Sequence, residues 1–250
     1  MLGFFSKRRF APGKKSFRFL YWYFLDLFFP PRCVQCHSIG RPICPRCFPL
    51  IEWIGAPFCA ACGQPLGIAA GHTCIDTRWL RRIRSAAVFS GPMRRAIHAL
   101  KYYSDRSLAH HLVDISFSRF SIHPGEVDLI LPVPLGSRRE AQRGYNQSFL
   151  LAEALSLKTR IPLDAKCIAR RRETRSQVGL TLEERKQNVE NAFCASSVSS
   201  KKVLLVDDVC TTGATLQSCA ASLVSAGAES VTALTLARAI LPALPSHSRA

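Results

Sequence analysis

Acid is what this chain has least of for its size. Asp and Glu together number 17 against 34 Lys and Arg, a formal charge of +17 over 250 residues. Residues 1–18 carry Lys7, Arg8, Arg9, Lys14, Lys15 and Arg18 without a single acid. Such an imbalance is unusual for a metabolic enzyme. It favours a polyanionic partner, nucleic acid first and an anionic membrane second. A second lack is any apolar run long enough to cross a bilayer. Residues 19–25 (FLYWYFL) are followed by Asp26 and then by Leu27, Phe28 and Phe29. That falls well short of the roughly 20 residues a spanning helix needs. A secretory signal would also want a small-residue cleavage site where Pro30-Pro31-Arg32 stands. These absences lead us to expect a cytoplasmic protein. Two readings of the aromatic stretch stand: a short helix packed on the protein itself, which we favour because a free aromatic face would aggregate, or an interfacial anchor giving peripheral membrane contact.

Disorder is excluded by composition, with 48% hydrophobic residues and a mean hydropathy of +0.07. Seven of the eleven cysteines fall between residues 33 and 74. In a chain without an export signal that clustering indicates metal rather than disulfides. Cys33-x-x-Cys36 and Cys44-x-x-Cys47 are two knuckles that together complete a four-thiolate zinc site. A second set has Cys59, Cys62 and Cys74, but Thr77 stands where a second knuckle would place its last cysteine. His72 is a candidate fourth ligand at an awkward spacing, so a second metal and a degenerate ribbon both stay open. Either way the module is structural, because a closed four-ligand site leaves no open position for catalysis.

The stretch around which the chain is organised lies at residues 202–215, KVLLVDDVCTTGAT. Branched apolar residues in a row predict a strand buried on both faces. Asp207 and Asp208 end it, a Thr/Gly turn follows, and Leu216, Ala220, Leu223 and Val224 recur at helical spacing. A helix N-terminus with flanking hydroxyls is an anion site, and Gly213 keeps a Cβ out of the way of a phosphate. Two carboxylates beside it suit a ligand with hydroxyls a few ångströms from its phosphate. A phosphorylated ribose has that form.

Other segments follow the same alternation. Residues 86–90 and 128–134 predict strands, and Val231–Leu236 predicts another. Gly91-Pro92 opens a helix in which Met93, Ile97 and Leu100 face inward while Arg94, Arg95 and Lys101 face outward. A helix is expected within 105–120, and another over 146–159 with Phe149, Leu150, Ala152, Leu155 and Leu157 as its core face. Thr181-x-x-Glu184 is a capping-box pattern for a helix through Asn191. Arg138, Arg139 and Arg143, with Lys101, are candidates for pyrophosphate or nucleic-acid phosphate. Arginines around 78–84 and 166–175 extend the basic surface, and Tyr145 is a candidate for base stacking. The tail beyond Arg238 is broken by Pro242 and Pro245 and is expected to fray.

Residues 202–215 closely resemble the 5-phosphoribosyl-1-pyrophosphate (PRPP) motif of type I phosphoribosyltransferases. That resemblance implies that Asp207 and Asp208 hold the ribose hydroxyls, that Thr211, Thr212, Gly213, Ala214 and Thr215 wrap the 5′-phosphate, and that Mg²⁺ accompanies PRPP. The chain as a whole is similar to the ComF family (GntX-like), linked to DNA uptake in bacterial transformation. The motifs that carry this are Phe29-Pro30-Pro31, the cysteine knuckles, residues 98–102 (HALKY), 131–135 (LPVPL), 143–147 (RGYNQ), 175–180 (RSQVGL) and the Asp207-Asp208 pair. The resemblance implies a type I phosphoribosyltransferase-like fold, a doubly wound parallel sheet with helices on both faces, preceded by a small zinc ribbon. We expect a basic arm and aromatic segment over 1–28, the ribbon over 29–80, the main domain over 81–238 and a tail over 239–250. It also implies partners: single-stranded DNA, PRPP or a related sugar phosphate, and other DNA-uptake proteins. Two functions follow, a DNA-handling protein of natural transformation or an active phosphoribosyltransferase that releases pyrophosphate from PRPP.

Overall fold

The computed structural model describes residues 30–66, 74–75, 77–102, 107–120, 122–123, 125–172, 182–189 and 191–240. The basic arm and aromatic segment, His72, Arg175, the Thr181 cap and the tail from residue 241 lie outside the described residues.

Four strands form a parallel sheet in the order β1-β6-β5-β2: β1 (Arg82–Val88), β2 (Leu129–Pro132), β5 (Lys202–Cys210) and β6 (Ser230–Arg238). Helices cover both faces, because alternate residues of the central strands point opposite ways. Leu204 and Val206 of β5, with Leu234 and Leu236 of β6, pack under α1 (Gly91–Tyr102), α2 (Ser107–Ser116) and α4 (Gln147–Thr159). Val203, Leu205, Val231 and Ala233 pack on the other face beneath α6 (Ala214–Ser225). Both sets are buried, as the unbroken apolar runs required. A short helix α3 (Ser137–Arg143) precedes α4, and α5 (Leu182–Val189) lies between the two strands of a separate antiparallel pair, β3 (Ile168–Arg170) and β4 (Phe193–Ala195). The fold is thus a doubly wound α/β domain behind a cysteine-rich ribbon.

β1 starts at Arg82, four residues before the expected strand. The arginines of its opening are expected on the basic surface, yet Arg82 and Arg84 lie in the strand and alternate with the buried Ile83 and Ser85. Arg82 donates to Glu126 at 2.6 Å. Arg84 donates to the Ala60 carbonyl at 3.0 Å and lies 4.9 Å from the Phe58 ring centroid. β1 is also the sheet edge, and the ribbon covers it. Ile83 N–H donates to Ala61, Ile54 N–H to Ala86 and Val88 N–H to Glu52. An edge paired in this way is closed to association with other chains.

The α4 core face differs from the expected one. Ser148, Leu151, Ala152 and Leu155 are buried, at spacings of three and four, whereas Leu157 is 68% exposed. Leu157 sits two positions beyond Leu155, more than half a turn away, so it cannot share that face. Tyr145 is buried, and its hydroxyl donates to the Leu100 carbonyl. It ties the segment leading into α4 to α1 and, being buried, presents no ring for base stacking.

Candidate functional site

The site arises because β2 stops short. Its last residue, Pro132, pairs with Val206, while β5 continues to Cys210 with β6 alone beside it among the described residues. Asp207 and Asp208 therefore sit beyond the end of β2, in the crevice at the carboxyl ends of parallel strands where open α/β sheets take ligands. The start of α4 closes one side. Asn146 caps that helix, its side chain accepting from Ser148 N–H at 2.9 Å and donating to the Val133 carbonyl at 3.0 Å. This fixes the helix to the end of β2 and brings Ser148 Oγ within 2.7 Å of Asp207 Oδ1, to which it donates.

The two carboxylates have different surroundings. Asp208 is 4% exposed and pairs with Lys101 Nζ at 2.9 Å from its Oδ2. That oxygen has no well-angled hydrogen bond, so the pair is held by charge rather than by direction. Lys101 was expected to face outward with Arg94 and Arg95. Those two are exposed, but Lys101, in the last turn of α1 beside the crevice, turns to the buried acid. Asp207 has Ser148 and the Asp208 N–H as donors, yet burial, then the adjacent Asp208 charge, pushes its pKa up to about 7.

After Cys210 the chain turns through Thr211–Gly213 into α6, with Gly213 as the N-cap residue at φ 75°. Thr212 Oγ1 accepts from Ala214 N–H at 3.3 Å, and Thr211, Thr212 and Thr215 are half-buried. A Cβ on Gly213 would lie 2.6 Å from Ile75 Cδ1. The space kept clear by this glycine is thus occupied by the protein's own linker, in addition to the backbone angle that favours glycine. Arg143 donates to Gln147 Oε1 at 2.8 Å and lies 5.2 Å from the Tyr102 centroid. The 98–102 and 143–147 motifs therefore meet at the crevice. Arg138 is exposed on α3 and Arg139 half-exposed.

Two residues of this neighbourhood escaped sequence reasoning. Ser148 carries no signal beyond its place two residues after a capping Asn. Arg238 does: it is the cation that ends an apolar strand. It is 1% exposed and donates to the Cys62 carbonyl at 2.7 Å and to Cys210 Sγ at 3.3 Å. Burial pushes Cys210 up to about 11 and Cys219 well above the usual thiol value, which disfavours the nucleophilic thiolate of both near neutral pH.

The cysteines assemble as the knuckles required. Sγ atoms of Cys33, Cys36, Cys44 and Cys47 lie within 4.8 Å of one another, as do those of Cys59, Cys62 and Cys74. Zinc–sulfur bonds of 2.3 Å in tetrahedral array separate sulfurs by about 3.8 Å. The distances of 3.6 Å for Cys36–Cys44 and 3.9 Å for Cys59–Cys74 match this. Cys44 N–H also points at Cys33 Sγ, 3.5 Å away. Both thiol sets suit structural zinc, four ligands in the first and three among the described residues of the second.

Comparison with known proteins agrees with both halves. A double zinc ribbon domain family matches residues 24–78, and a phosphoribosyl transferase domain family matches residues 146–247. Competence protein F of Haemophilus influenzae is 32% identical over 229 residues, 85% of this chain and 99% of that protein. Competence protein ComFC of Bacillus subtilis is 29% identical over 209 residues, covering 78% and 84% respectively. DNA utilization protein YhgH of Escherichia coli K12 is 31% identical over 191 residues, covering 73% and 84%.

Proposed function

Since this chain belongs to the ComF family, we propose that it serves DNA uptake or processing in natural transformation. In this reading it binds single-stranded DNA on its basic surface and PRPP, or a related sugar phosphate, in the crevice at the end of β5. One observation carries the ligand assignment. Asp207 and Asp208 stand at a strand end that β2 leaves open, three residues before a hydroxyl-rich turn into a helix N-terminus. Carboxylates accept the ribose 2′- and 3′-hydroxyls. Thr211 to Thr215 hold the 5′-phosphate with backbone N–H groups and hydroxyls at the positive end of α6. Lys101, already at Asp208, offers its remaining N–H donors to pyrophosphate, with Arg138, Arg139 and Arg143 as further candidates. The carboxylate oxygens of Asp207 and Asp208 would suit Mg²⁺ bound together with PRPP, and the ion would offset charge on the pyrophosphate. Other DNA-uptake proteins are candidate partners; for the N-terminal segment, packing on the protein itself remains the favoured reading and peripheral membrane contact the alternative. No helix among the described residues is long and apolar enough to cross a membrane.

The intact acid pair favours a second reading, an active phosphoribosyltransferase. Ionised carboxylates near the ribose would stabilise positive charge developing at C1′ as pyrophosphate leaves. Calorimetric titration with PRPP and Mg²⁺, beside titration with a labelled single-stranded oligonucleotide, tests the first reading. Absence of PRPP binding overturns the ligand assignment, and absence of oligonucleotide binding at low salt overturns the DNA assignment. Pyrophosphate release from PRPP against bases, amines and oligonucleotides separates turnover from binding alone.

A further inference from the structure

We propose that the second cysteine cluster holds the phosphate loop in its binding shape through Ile75 and Arg238, which act as positioning residues for Thr211–Gly213. This inference rests on the reading of that loop as a phosphate site.

The cluster is joined to both ends of the loop. At its start stands Cys210, the last residue of β5, whose Sγ accepts from Arg238 Nη1; the same nitrogen donates to the Cys62 carbonyl. At its end stands Gly213, against which Ile75 packs so closely that a Cβ there would lie 2.6 Å from Ile75 Cδ1. Ile75 is the residue after Cys74, and Cys74 Sγ lies 3.9 Å from Cys59 Sγ. Its neighbours in the core include Ile83, whose Cδ1 lies 3.7 Å from the same Cβ position. The knuckle itself is seated on β1. Ile83 N–H donates to Ala61, and a Cβ on Gly63 would stand 2.5 Å from the Ile83 carbonyl oxygen. Thus the thiols are fixed to the sheet edge, Cys74 is fixed by the thiols, and Ile75 follows Cys74.

The consequence is thermodynamic. A loop that binds an anion through its own N–H groups loses affinity when binding must also order it. Clamping Cys210 and Gly213 leaves only Thr211 and Thr212 between fixed points. Metal on Cys59, Cys62 and Cys74 would hold the clasp shut without touching the ligand. A residue such as Ile75 carries none of the chemistry, which is why no motif marks it.

The test uses the full chain with three readouts: zinc content, hydrogen exchange of residues 208–218 without ligand, and calorimetric affinity for PRPP with Mg²⁺. Ile75→Ala should keep wild-type zinc content, speed exchange in the loop and weaken PRPP roughly two- to tenfold. Ile75→Val should restore most of both. Cys74→Ser should lose zinc from the second cluster alone and reproduce the Ile75→Ala changes; should it fail to fold, the Ile75 pair decides. Unchanged loop exchange in Ile75→Ala overturns the inference, as does faster exchange with unaltered PRPP affinity. If the wild-type protein binds no PRPP, the phosphoribosyl reading falls, and exchange alone then decides whether the clasp exists.

Discussion

Replacing Asp208 by Asn keeps the shape of the side chain and removes its charge, which makes it the most direct probe of the crevice. The side chain is 6% exposed and faces Lys101, whose side chain is 22% exposed, at 2.9 Å. Two effects should appear. A hydrogen bond to a charged acceptor contributes about 1.5–3 kcal/mol, so loss of the carboxylate should weaken PRPP about ten- to a hundredfold. The folded state should also lose stability, because a cation is left without its partner. Breaking a fully buried pair costs about 3–5 kcal/mol. Lys101 retains contact with water, so we expect a smaller cost, about 1–2 kcal/mol. Urea unfolding reads the second effect, and titration with PRPP and Mg²⁺ on the folded variant reads the first. Lys101→Gln, alone and with Asp208→Asn, completes a cycle that isolates the coupling between the two residues. Single-stranded DNA titrated at the same salt concentration is the control, with affinity unchanged or slightly raised. Unaltered PRPP affinity in Asp208→Asn would refute the assignment of this acid to the ribose. Equal losses for both ligands would mean that DNA enters the same crevice.

Asp207 predicts a pH dependence, since its pKa is raised to about 7 from 3.8. Between those values the folded chain keeps a proton that the unfolded chain has released, so stability from this group is fully present below about pH 4 and lost as pH rises to about 7. Affinity for ribose hydroxyls, which needs the carboxylate, should instead climb to about pH 7 and then level; coincident wild-type and Asp207→Asn profiles would defeat this. Single-stranded DNA affinity should fall log-linearly with salt. Arg138→Ala with Arg139→Ala should lower both affinity and slope, and an unchanged slope would place DNA elsewhere. Purified protein should carry one zinc on Cys33, Cys36, Cys44 and Cys47 and a second on Cys59, Cys62 and Cys74. Removing metal with a strong chelator should abolish cooperative unfolding, and a metal-free chain with an undiminished thermal transition would contradict a structural role.

The central strand and its loop were legible because several local rules agree there. Val203 to Val206 could only be buried on both faces, and the acid pair and turn had to follow at its end. The first cysteine quartet was legible from spacing alone. What could not be read were relations between distant segments. Ser148 reaches Asp207 because Asn146 happens to cap on Val133, 13 residues away. Lys101 belongs by periodicity to the same outer face as Arg94, yet as the penultimate residue of its helix it turns to an acid more than 100 residues further on. Gly213 was legible as a necessary glycine, but part of the reason for it is Ile75, which periodicity leaves unmarked. The β1 boundary was missed for a related cause: arginines at an edge strand resemble a basic loop until their partners, Glu126 and Ala60, are known.

Those partners bear on the charge argument itself. Composition counts every arginine toward a polyanion surface, whereas the fold employs several of them internally. Arg238 is enclosed, Arg82 is paired with Glu126, Arg84 lies on Phe58, and Arg170 lies over Phe193 at 5.3 Å. Of the 78–84 run, the exposed cations are Arg78 and Arg81; of 166–172, they are Lys166, Arg171 and Arg172. A phosphate contact releases counterions only if its cation was solvated beforehand, so the internal arginines should contribute little to the salt slope of DNA binding. The exposed ones differ: Arg94 and Arg95 line the outer face of α1, and Arg138 stands on α3, the helix whose last residue, Arg143, lies over Tyr102 at the end of α1. That junction borders the crevice as well as the basic surface. A strand of DNA lying along it would pass beside the acid pair without entering the site, because Asp207 and Asp208 repel its backbone where Lys101 is already engaged.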